Sequence, residues 1–445
     1  MIGSFLILGL ILAGAALWST RPSFVIYSIL LLRVVVPAPA VPVVMAGALG
    51  GSTSAHPATF VAVGAVTVLL IQYSLGERSH ATVASTSVRL AIGLLTLVGV
   101  LGLATTVITA PASNVAIYVA DFLVPAFAGV LAYAALLRGK ITHSRLARFL
   151  VILLSAEALL MLAQLSTGNA LVWVEARAAY QSWFVEGSEV QRPYGTFDSP
   201  IEAAIFMVAG IALLPLIKRS WFRYGALFLM AGASVATQSR FPFVLLVGVV
   251  IYFFLTQSKS IARSFFAVVA VGTVAAITLT TLGDDLFARF GDGADWSVAA
   301  RGLAWDYVVE NWASYSFAGG GYRLGSATKG ASLSTSLENG YVILAFDIGF
   351  VAVAIYLVGQ LILIGRGLRG DLKNRSFAVG ASAMVIGAFA FSAFANPSAY
   401  ASTLWILLAA GVWRNVPSQL ALAPTIQGSG AQLSSTGRPR RGERQ

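Results

Sequence analysis

Cysteine is absent from this 445-residue chain, histidine occurs three times, and charged residues make up only 11% of it. Without cysteine the chain can form neither disulfides nor thiolate metal sites. The three histidines, His56, His80 and His143, are far apart in sequence, which disfavours a histidine-based metal site. A soluble domain carries about 25% charged residues, so the scarcity of charge argues against an ordinary soluble protein.

Hydrophobic residues make up 58% of the chain. Apolar runs of about 17–25 residues are typical of transmembrane helices, and here they predict an all-α, polytopic membrane protein with about 12–13 spans. The second span is interrupted by Arg33, Pro37, Pro39 and Pro42 and is predicted to be broken or re-entrant. The predicted spans lie near residues 3–19, 24–47, 57–75, 90–110, 116–137, 148–166, 200–217, 222–238, 240–257, 264–283, 338–365, 376–395 and 401–415.

The loops between these spans differ in charge. One set holds most of the 29 Lys and Arg residues, whereas the opposite set holds most of the 18 Asp and Glu residues and includes two long loops, 167–199 and 284–337. The positive-inside rule makes the first set cytoplasmic, so both long loops are predicted to be extracytoplasmic and to contain short amphipathic helices.

We therefore expect residues 1–415 to form a membrane domain that works at its outer face, and residues 416–445 to be a disordered, basic cytoplasmic tail. The net charge of +11 is explained by this topology, without a nucleic-acid partner.

Four arginines occupy turns on the predicted outer face, where positive charge is disfavoured. They are Arg192, Arg240, Arg301 and Arg323, the last in a glycine-rich turn. A guanidinium group binds phosphate with two parallel hydrogen bonds, and a glycine-rich turn can add backbone N–H groups. The four arginines predict a site for a lipid-linked diphosphate at the membrane surface. The structural alternative for each is snorkelling or a salt bridge with a loop acid.

A polar segment opens the predicted span at 338–365, with Glu338 and Asn339 at its start and Asp347 nine residues further on. Glu338 is a candidate general base, since transfer to a hydroxyl requires that the hydroxyl lose a proton. The alternative is a structural one, in which Ser336, Glu338 or Asn339 caps the helix. An acid within a membrane is a candidate functional residue, so Asp347 is expected to support Glu338 or to pair with an arginine such as Arg33.

Four segments in order resemble the O-antigen ligase and polymerase superfamily of membrane glycosyltransferases, over roughly residues 150–400. "RPYGTFDSPIEAA" resembles the family's Arg-x-x-Gly-Thr-Phe-x-x-Pro segment before a span, and "TQSRFPFVLLVGVVIYFF" its Ser-Arg turn before an aliphatic helix. "RGLAWDYVVENWASYSFAGGGYRLG" resembles its Arg…Trp helix with a glycine-rich end, and "LENGYVILAFDIGFVAVAI" its Asn-containing start of a span.

The resemblance implies a GT-C-type enzyme in the cytoplasmic (inner) membrane with its active site facing the periplasm or the extracellular side. Such enzymes pass a saccharide from undecaprenyl diphosphate to an acceptor hydroxyl, and the acceptor is lipid A-core for ligases and a second lipid-linked repeat unit for polymerases. The implied partners are a lipid-linked oligosaccharide donor, a glycan or lipid-linked acceptor, membrane lipid, and a chain-length regulator or flippase. No cofactor is expected, and catalysis is expected to be metal-independent and inverting.

The resemblance also implies site residues. Glu338 is the expected base, and the four arginines are the expected ligands of the donor diphosphate. The expected supporting or acceptor-binding residues are Asn339, Asp347, Tyr194 and Tyr341. In ligases the position before the family's Asn is commonly His, and here it is Glu338, which favours a polymerase over a strict ligase.

Two other classes of function remain open on the sequence. Intramembrane Asp121, Glu157 and Asp347 fit proton coupling in a transporter or flippase for an anionic or lipid-linked solute. No internal repeat of the kind found in many transporters is evident, which counts against that class. The other class that remains open is a scaffold within an envelope-synthesis complex.

Overall fold

The structure is a computed structural model, and its secondary structure is almost entirely helical. The described residues are 2–45, 55–75, 85–178, 185–186, 189–190, 192–257, 296–328, 337–394 and 399–413. Besides helices, turns and bends, these ranges hold a short antiparallel ribbon of two residues per strand, β1 (Val185–Glu186) with β2 (Glu189–Val190). The predicted all-α membrane fold is confirmed. The predicted span 264–283 and the predicted tail 416–445 lie outside the described residues.

Helices coincide with the other predicted spans. Short 3₁₀ turns at Ala38–Ala40, Leu214–Leu216 and Trp312–Tyr315 and a π turn at Val119–Leu123 extend or join some of them. The helices are α1 (Ile2–Thr20), α2 (Pro22–Val35), α3 (Val41–Met45), α4 (Pro57–Ser74), α5 (Thr86–Thr109), α6 (Ala112–Tyr118), α7 (Val124–Leu137), α8 (His143–Thr167), α9 (Val174–Ala178), α10 (Pro200–Leu213), α11 (Ser220–Ala236), α12 (Arg240–Gln257), α13 (Trp296–Asn311), α14 (Leu324–Ala327), α15 (Gly340–Ile348), α16 (Phe350–Leu368), α17 (Leu372–Gly387) and α18 (Ala399–Val412).

Six described helical segments are both long enough and apolar enough to cross a membrane. They are α4, α5, the continuous α6–α7 segment, α8, α12 and α16. A bent pair, Pro22–Val35 with Ala38–Met45, raises the number to seven if it forms one span. This is fewer than about 12–13 because the predicted span 264–283 lies outside the described residues and several others coincide with shorter helices, among them α10, α11, α17 and α18.

The second predicted span is broken, as its three prolines indicated. Its two halves meet at 90°, and the last carbonyls of α2 are bound by side chains from distant segments. The Thr196 hydroxyl donates to the Val34 carbonyl (2.6 Å), and the Trp173 indole donates to that of Val35 (2.8 Å). Beyond the bend, the Asp198 carboxylate accepts a hydrogen bond from the Ala38 N–H (2.8 Å). Residues of a predicted outer loop therefore satisfy backbone groups that the helix break leaves without intrahelical partners.

The predicted span 338–365 is also broken, and here a single continuous helix was the wrong expectation. α15 ends at Ile348, and Gly349 adopts φ +103°, a backbone conformation that favours glycine. The glycine-rich segment packs against this break: the N–H groups of Gly320 and Gly321 donate to the carbonyls of Phe346 (2.9 Å) and Asp347 (3.0 Å). The break fixes the segment that follows α13 against the membrane helices.

Candidate functional site

A cavity of about 620 Å³ gathers the polar residues that the sequence predicted at separate turns. Arg192, Arg240, Arg301, Glu338 and Asn339 all line it. They come from four chain segments: the turn before α10, the start of α12, the middle of α13 and the start of α15. Three of the four predicted arginines therefore share one cavity with the predicted base.

Arg192 fixes the turn that precedes Arg240. Its Nε donates to the carbonyl of Thr237 (2.7 Å), and a terminal nitrogen donates to the Ser239 hydroxyl (2.6 Å). Between those two residues, Gln238 adopts φ +52°, which is uncommon for a residue with a side chain. The guanidinium of Arg192 thus bridges both sides of a strained residue at the cavity wall.

Arg240 is the first residue of α12 and is half-buried. A helix N-terminus carries a partial positive charge and unpaired N–H groups, which favour anions there. A cation at this position is unfavourable for the helix dipole. The helix end and the guanidinium both contribute positive potential at the cavity that Arg240 lines.

Arg301 and Glu338 form a salt bridge across the cavity wall. The Arg301 Nε lies 3.2 Å from Glu338 Oε2, and the two side chains are 54% and 51% exposed. At this exposure the pair contributes little to folding stability. It does bring the predicted base into contact with one of the predicted phosphate ligands.

Asn339 caps α15, so Glu338 is not needed as the helix cap. The Asn339 Oδ1 accepts hydrogen bonds from the N–H groups of Tyr341 (3.0 Å) and Val342 (3.2 Å). Glu338 points to Arg301 instead, and Ser336 lies outside the described residues. The carboxylate at 338 is consequently available for chemistry without loss of the helix cap.

Arg323 does not line this cavity. One of its terminal nitrogens lies 3.8 Å from Asp121, whose carboxylate is buried in the π turn between α6 and α7. Arg323 itself adopts φ +76° just before α14. Next to it, burial raises the pKa of the Tyr322 hydroxyl well above its usual range, and this hydroxyl donates to the Phe394 carbonyl (2.9 Å). Arg323 therefore joins the glycine-rich segment to a membrane helix.

The three other predicted supporting residues also lie away from the cavity wall. The Asp347 carboxylate accepts a hydrogen bond from the Gly325 N–H (2.7 Å). The buried Tyr341 hydroxyl donates to Gln360 (2.8 Å), and the N–H of buried Tyr194 donates to the Gln164 side chain (3.2 Å). Tyr194 thereby holds the turn that carries Arg192, and Tyr341 and Asp347 hold α15, the helix that Glu338 and Asn339 precede.

The backbone of Asp347 lies very close to Gly319, so a substitution at Gly319 tests the packing of the glycine-rich segment against α15. A Cβ added there would lie 2.2 Å from the backbone carbonyl carbon and oxygen of Asp347, too close for any real contact. We expect Gly319→Ala to lower the free energy of unfolding by about 1–3 kcal/mol through overpacking, measured as a lower melting temperature in detergent. Gly302→Ala, on α13 with no atom within 4 Å of the added Cβ, is the matched control. Equal melting temperatures for the two variants would contradict the packing described here.

Trp305, Gln238, Ser239 and Phe389 also line the cavity, and the sequence analysis did not assign them to it. A signal for Trp305 was present, because it lies four residues after Arg301 and thus on the same helix face. Within the described ranges, no group of three or more His, Asp or Glu side chains is placed to hold a metal ion.

The helices and the cavity define a polytopic membrane protein with a cationic pocket that contains one acid. Residues 225–357 match the O-antigen ligase family, which supports the predicted assignment to the O-antigen ligase and polymerase superfamily. The match includes α12, α13 and α15, and with them Arg240, Arg301 and Glu338. No curated protein matches the chain.

Proposed function

We propose that the protein is a membrane glycosyltransferase of cell-surface polysaccharide synthesis. It transfers or polymerises a saccharide from an undecaprenyl diphosphate donor to an acceptor hydroxyl at the outer face of the cytoplasmic membrane. The observation that carries the proposal is the single cavity in which Arg192, Arg240, Arg301 and Glu338 meet. The family match supports a glycosyltransferase-like enzyme.

The arginines serve the leaving group. When the bond between the anomeric carbon and the diphosphate breaks, its electron pair remains on the diphosphate, and fixed positive charge stabilises the product. Arg240 and Arg301 are the direct ligands in this proposal, and Arg192 holds the turn that places Arg240. An arginine has five N–H donors, and among the described residues Glu338 takes only the Nε of Arg301. The terminal nitrogens of Arg301 therefore suit phosphate oxygens.

Glu338 serves the nucleophile. The acceptor oxygen forms a bond to the anomeric carbon while its proton passes to the Glu338 carboxylate. A direct displacement of this kind inverts the configuration at that carbon and requires no metal ion. In-line displacement places the acceptor and the leaving diphosphate on opposite faces of the anomeric carbon. Glu338, which contacts Arg301 at 3.2 Å in this structure, must therefore separate from Arg301 when the donor enters the cavity.

The acid at position 338 leads us to favour a polymerase over a ligase. In ligases the residue there is commonly His, and the rest of the cavity keeps the expected Arg and Asn. In this proposal the acceptor is a second lipid-linked repeat unit, and a flippase and a chain-length regulator act with the enzyme.

The intramembrane acids, which were the argument for a transporter, have structural partners in this protein. Glu157 accepts a hydrogen bond from the Thr196 N–H (2.9 Å), Asp347 binds the Gly325 N–H, and Asp121 pairs with Arg323. Each acid holds a predicted outer segment against a membrane helix, and this role explains its burial without proton coupling.

Reconstitution tests the proposal. The purified protein in liposomes is supplied with a saccharide on undecaprenyl diphosphate, and we expect a covalently extended or transferred glycan. Movement of the donor between leaflets without transfer would support a flippase, and neither result would support a scaffold. Either outcome would overturn the enzyme assignment.

The predicted orientation of the loops across the membrane gives a separate prediction. Ser326 is exposed and lies in a predicted extracytoplasmic loop, whereas exposed Lys373 lies in a predicted cytoplasmic one. The natural chain has no cysteine, so single substitutions give clean labels. We expect a membrane-impermeant maleimide to label Ser326→Cys in intact cells and Lys373→Cys only after permeabilisation. The reverse pattern would show that the cavity opens to the cytoplasm.

A further inference from the structure

One face of α13 forms a wall of the cavity. Arg301, Ala304, Trp305 and Val308 line it, and their spacing of three and four residues places them on one side of a helix. Val308 is 7% exposed and packs in a small cluster with Leu337 and residues of α15. This contact holds the helix against the protein.

Trp305 takes no part in that cluster. Trp305 lines the cavity and is 56% exposed, so much of its aromatic surface is uncovered next to the cavity. A tryptophan offers a wide, rigid apolar face, and binding pockets characteristically pair such faces with a few polar groups. The polar groups here are Arg301 and Glu338.

The position of Trp305 relative to Arg301 specifies what would lie on it. Four residues of α-helix rise about 6 Å, so the indole stands one turn from the guanidinium. If the diphosphate contacts Arg301, the sugar ring attached to that diphosphate lies within reach of the indole. One face of a pyranose ring carries mainly C–H groups, which complement the electron-rich face of an aromatic ring.

We propose that Trp305 forms a sugar subsite, on which the pyranose ring bonded to the donor diphosphate stacks. This inference rests on the proposed function and adds a substrate contact to it. The stacked ring would hold the anomeric carbon in the part of the cavity that Arg301 and Glu338 line. Trp305 is thus a substrate-binding residue, and the saccharide it receives is a hexose-type ring.

A competing role is anchorage in the membrane interface, where tryptophan is enriched. Trp312 provides the matched control for it. Trp312 is 53% exposed and follows α13 directly, but it does not line the cavity. Anchorage predicts similar effects at both tryptophans, whereas a sugar subsite predicts an effect at Trp305 alone.

The test measures binding of two probes to the full-length protein in nanodiscs: undecaprenyl diphosphate, and the same lipid carrying one hexose. Aromatic contacts contribute about 0.5–1.5 kcal/mol beyond area burial. We expect Trp305→Ala to weaken binding of the sugar-bearing probe by about 3- to 10-fold, to leave binding of the sugar-free probe within about twofold, and Trp305→Phe to restore most of the loss. Trp312→Ala should change neither.

Equal weakening of both probes by Trp305→Ala, or equal effects of the two tryptophan variants, would overturn the subsite in favour of anchorage. An unchanged affinity of Trp305→Ala for the sugar-bearing probe would overturn it outright. These outcomes differ from a failure of the proposed function, in which the reconstituted wild-type protein would transfer no sugar whether or not it binds the probes. Wild-type protein that binds the sugar-bearing probe no more tightly than the sugar-free one would also overturn the subsite.

Discussion

Glu338→Gln is expected to reduce glycosyl transfer by about 100-fold or more while leaving the fold and donor binding intact. A general base contributes about 10²–10⁴-fold, and glutamine keeps the shape of the side chain but cannot take the proton. The helix cap is unaffected because Asn339 provides it. The measurement is the single-turnover rate with saturating donor, under conditions in which chemistry limits the rate.

Two variants sharpen this experiment. Glu310→Gln removes an exposed acid from α13 that does not line the cavity, so it controls for a change in net charge and should transfer at the wild-type rate. Glu338→His installs the residue common in ligases, and recovered activity would show that the position accepts either base. A Glu338→Gln protein that transfers sugar at nearly the wild-type rate would rule out Glu338 as the base.

Arg240→Lys and Arg301→Lys are each expected to reduce transfer at least about tenfold, equivalent to about 1.4 kcal/mol of transition-state stabilisation. Lysine keeps the positive charge but loses the planar fork that binds two phosphate oxygens. Arg301 is 54% exposed, so the melting temperature of Arg301→Lys should stay near that of the wild type. Arg240 is half-buried, and the melting temperature of Arg240→Lys is measured alongside transfer to separate a loss of stability from a loss of catalysis.

Arg192→Lys separates the two roles of arginine in the cavity. Its guanidinium bridges Thr237 and Ser239, and an ammonium group cannot reproduce that planar bridge. We expect this variant to lose transfer by a similar factor and to melt at a lower temperature. Wild-type transfer rates in all three Lys variants, at normal expression, would assign these arginines to topology or structure.

The spans were predictable because long apolar runs have few alternatives in a bilayer. The bend after Val35 was also predictable, since prolines cannot continue a helix. The break at Gly349 was not predictable, because glycine within an apolar run is common in membrane helices. What makes this glycine a break is the packing of Gly320 and Gly321 against the end of α15, a contact between separate segments.

In the candidate site, too, some residues could be predicted from sequence, whereas others depend on contacts between distant segments. Arg240 and Glu338 could be identified from sequence because each stands where a turn meets a span, a position open to a ligand. Arg323 lies in a glycine-rich turn of the predicted outer loop, and its side chain is directed to Asp121, which lies about 200 positions earlier in the chain. Such a pairing follows from which helices are neighbours, and one sequence does not encode this in any local pattern.

The bend in the second span has a consequence for biogenesis. The backbone groups of Val34 and Ala38 find their partners in Thr196 and Asp198, which are 162 and 160 residues further along the chain. Synthesis proceeds from the N-terminus, so these two partners are made long after the bend has entered the membrane. Backbone groups without partners are costly in hydrocarbon. We therefore expect the bent second span to reach its final shape only once the segment that carries Arg192 has been delivered.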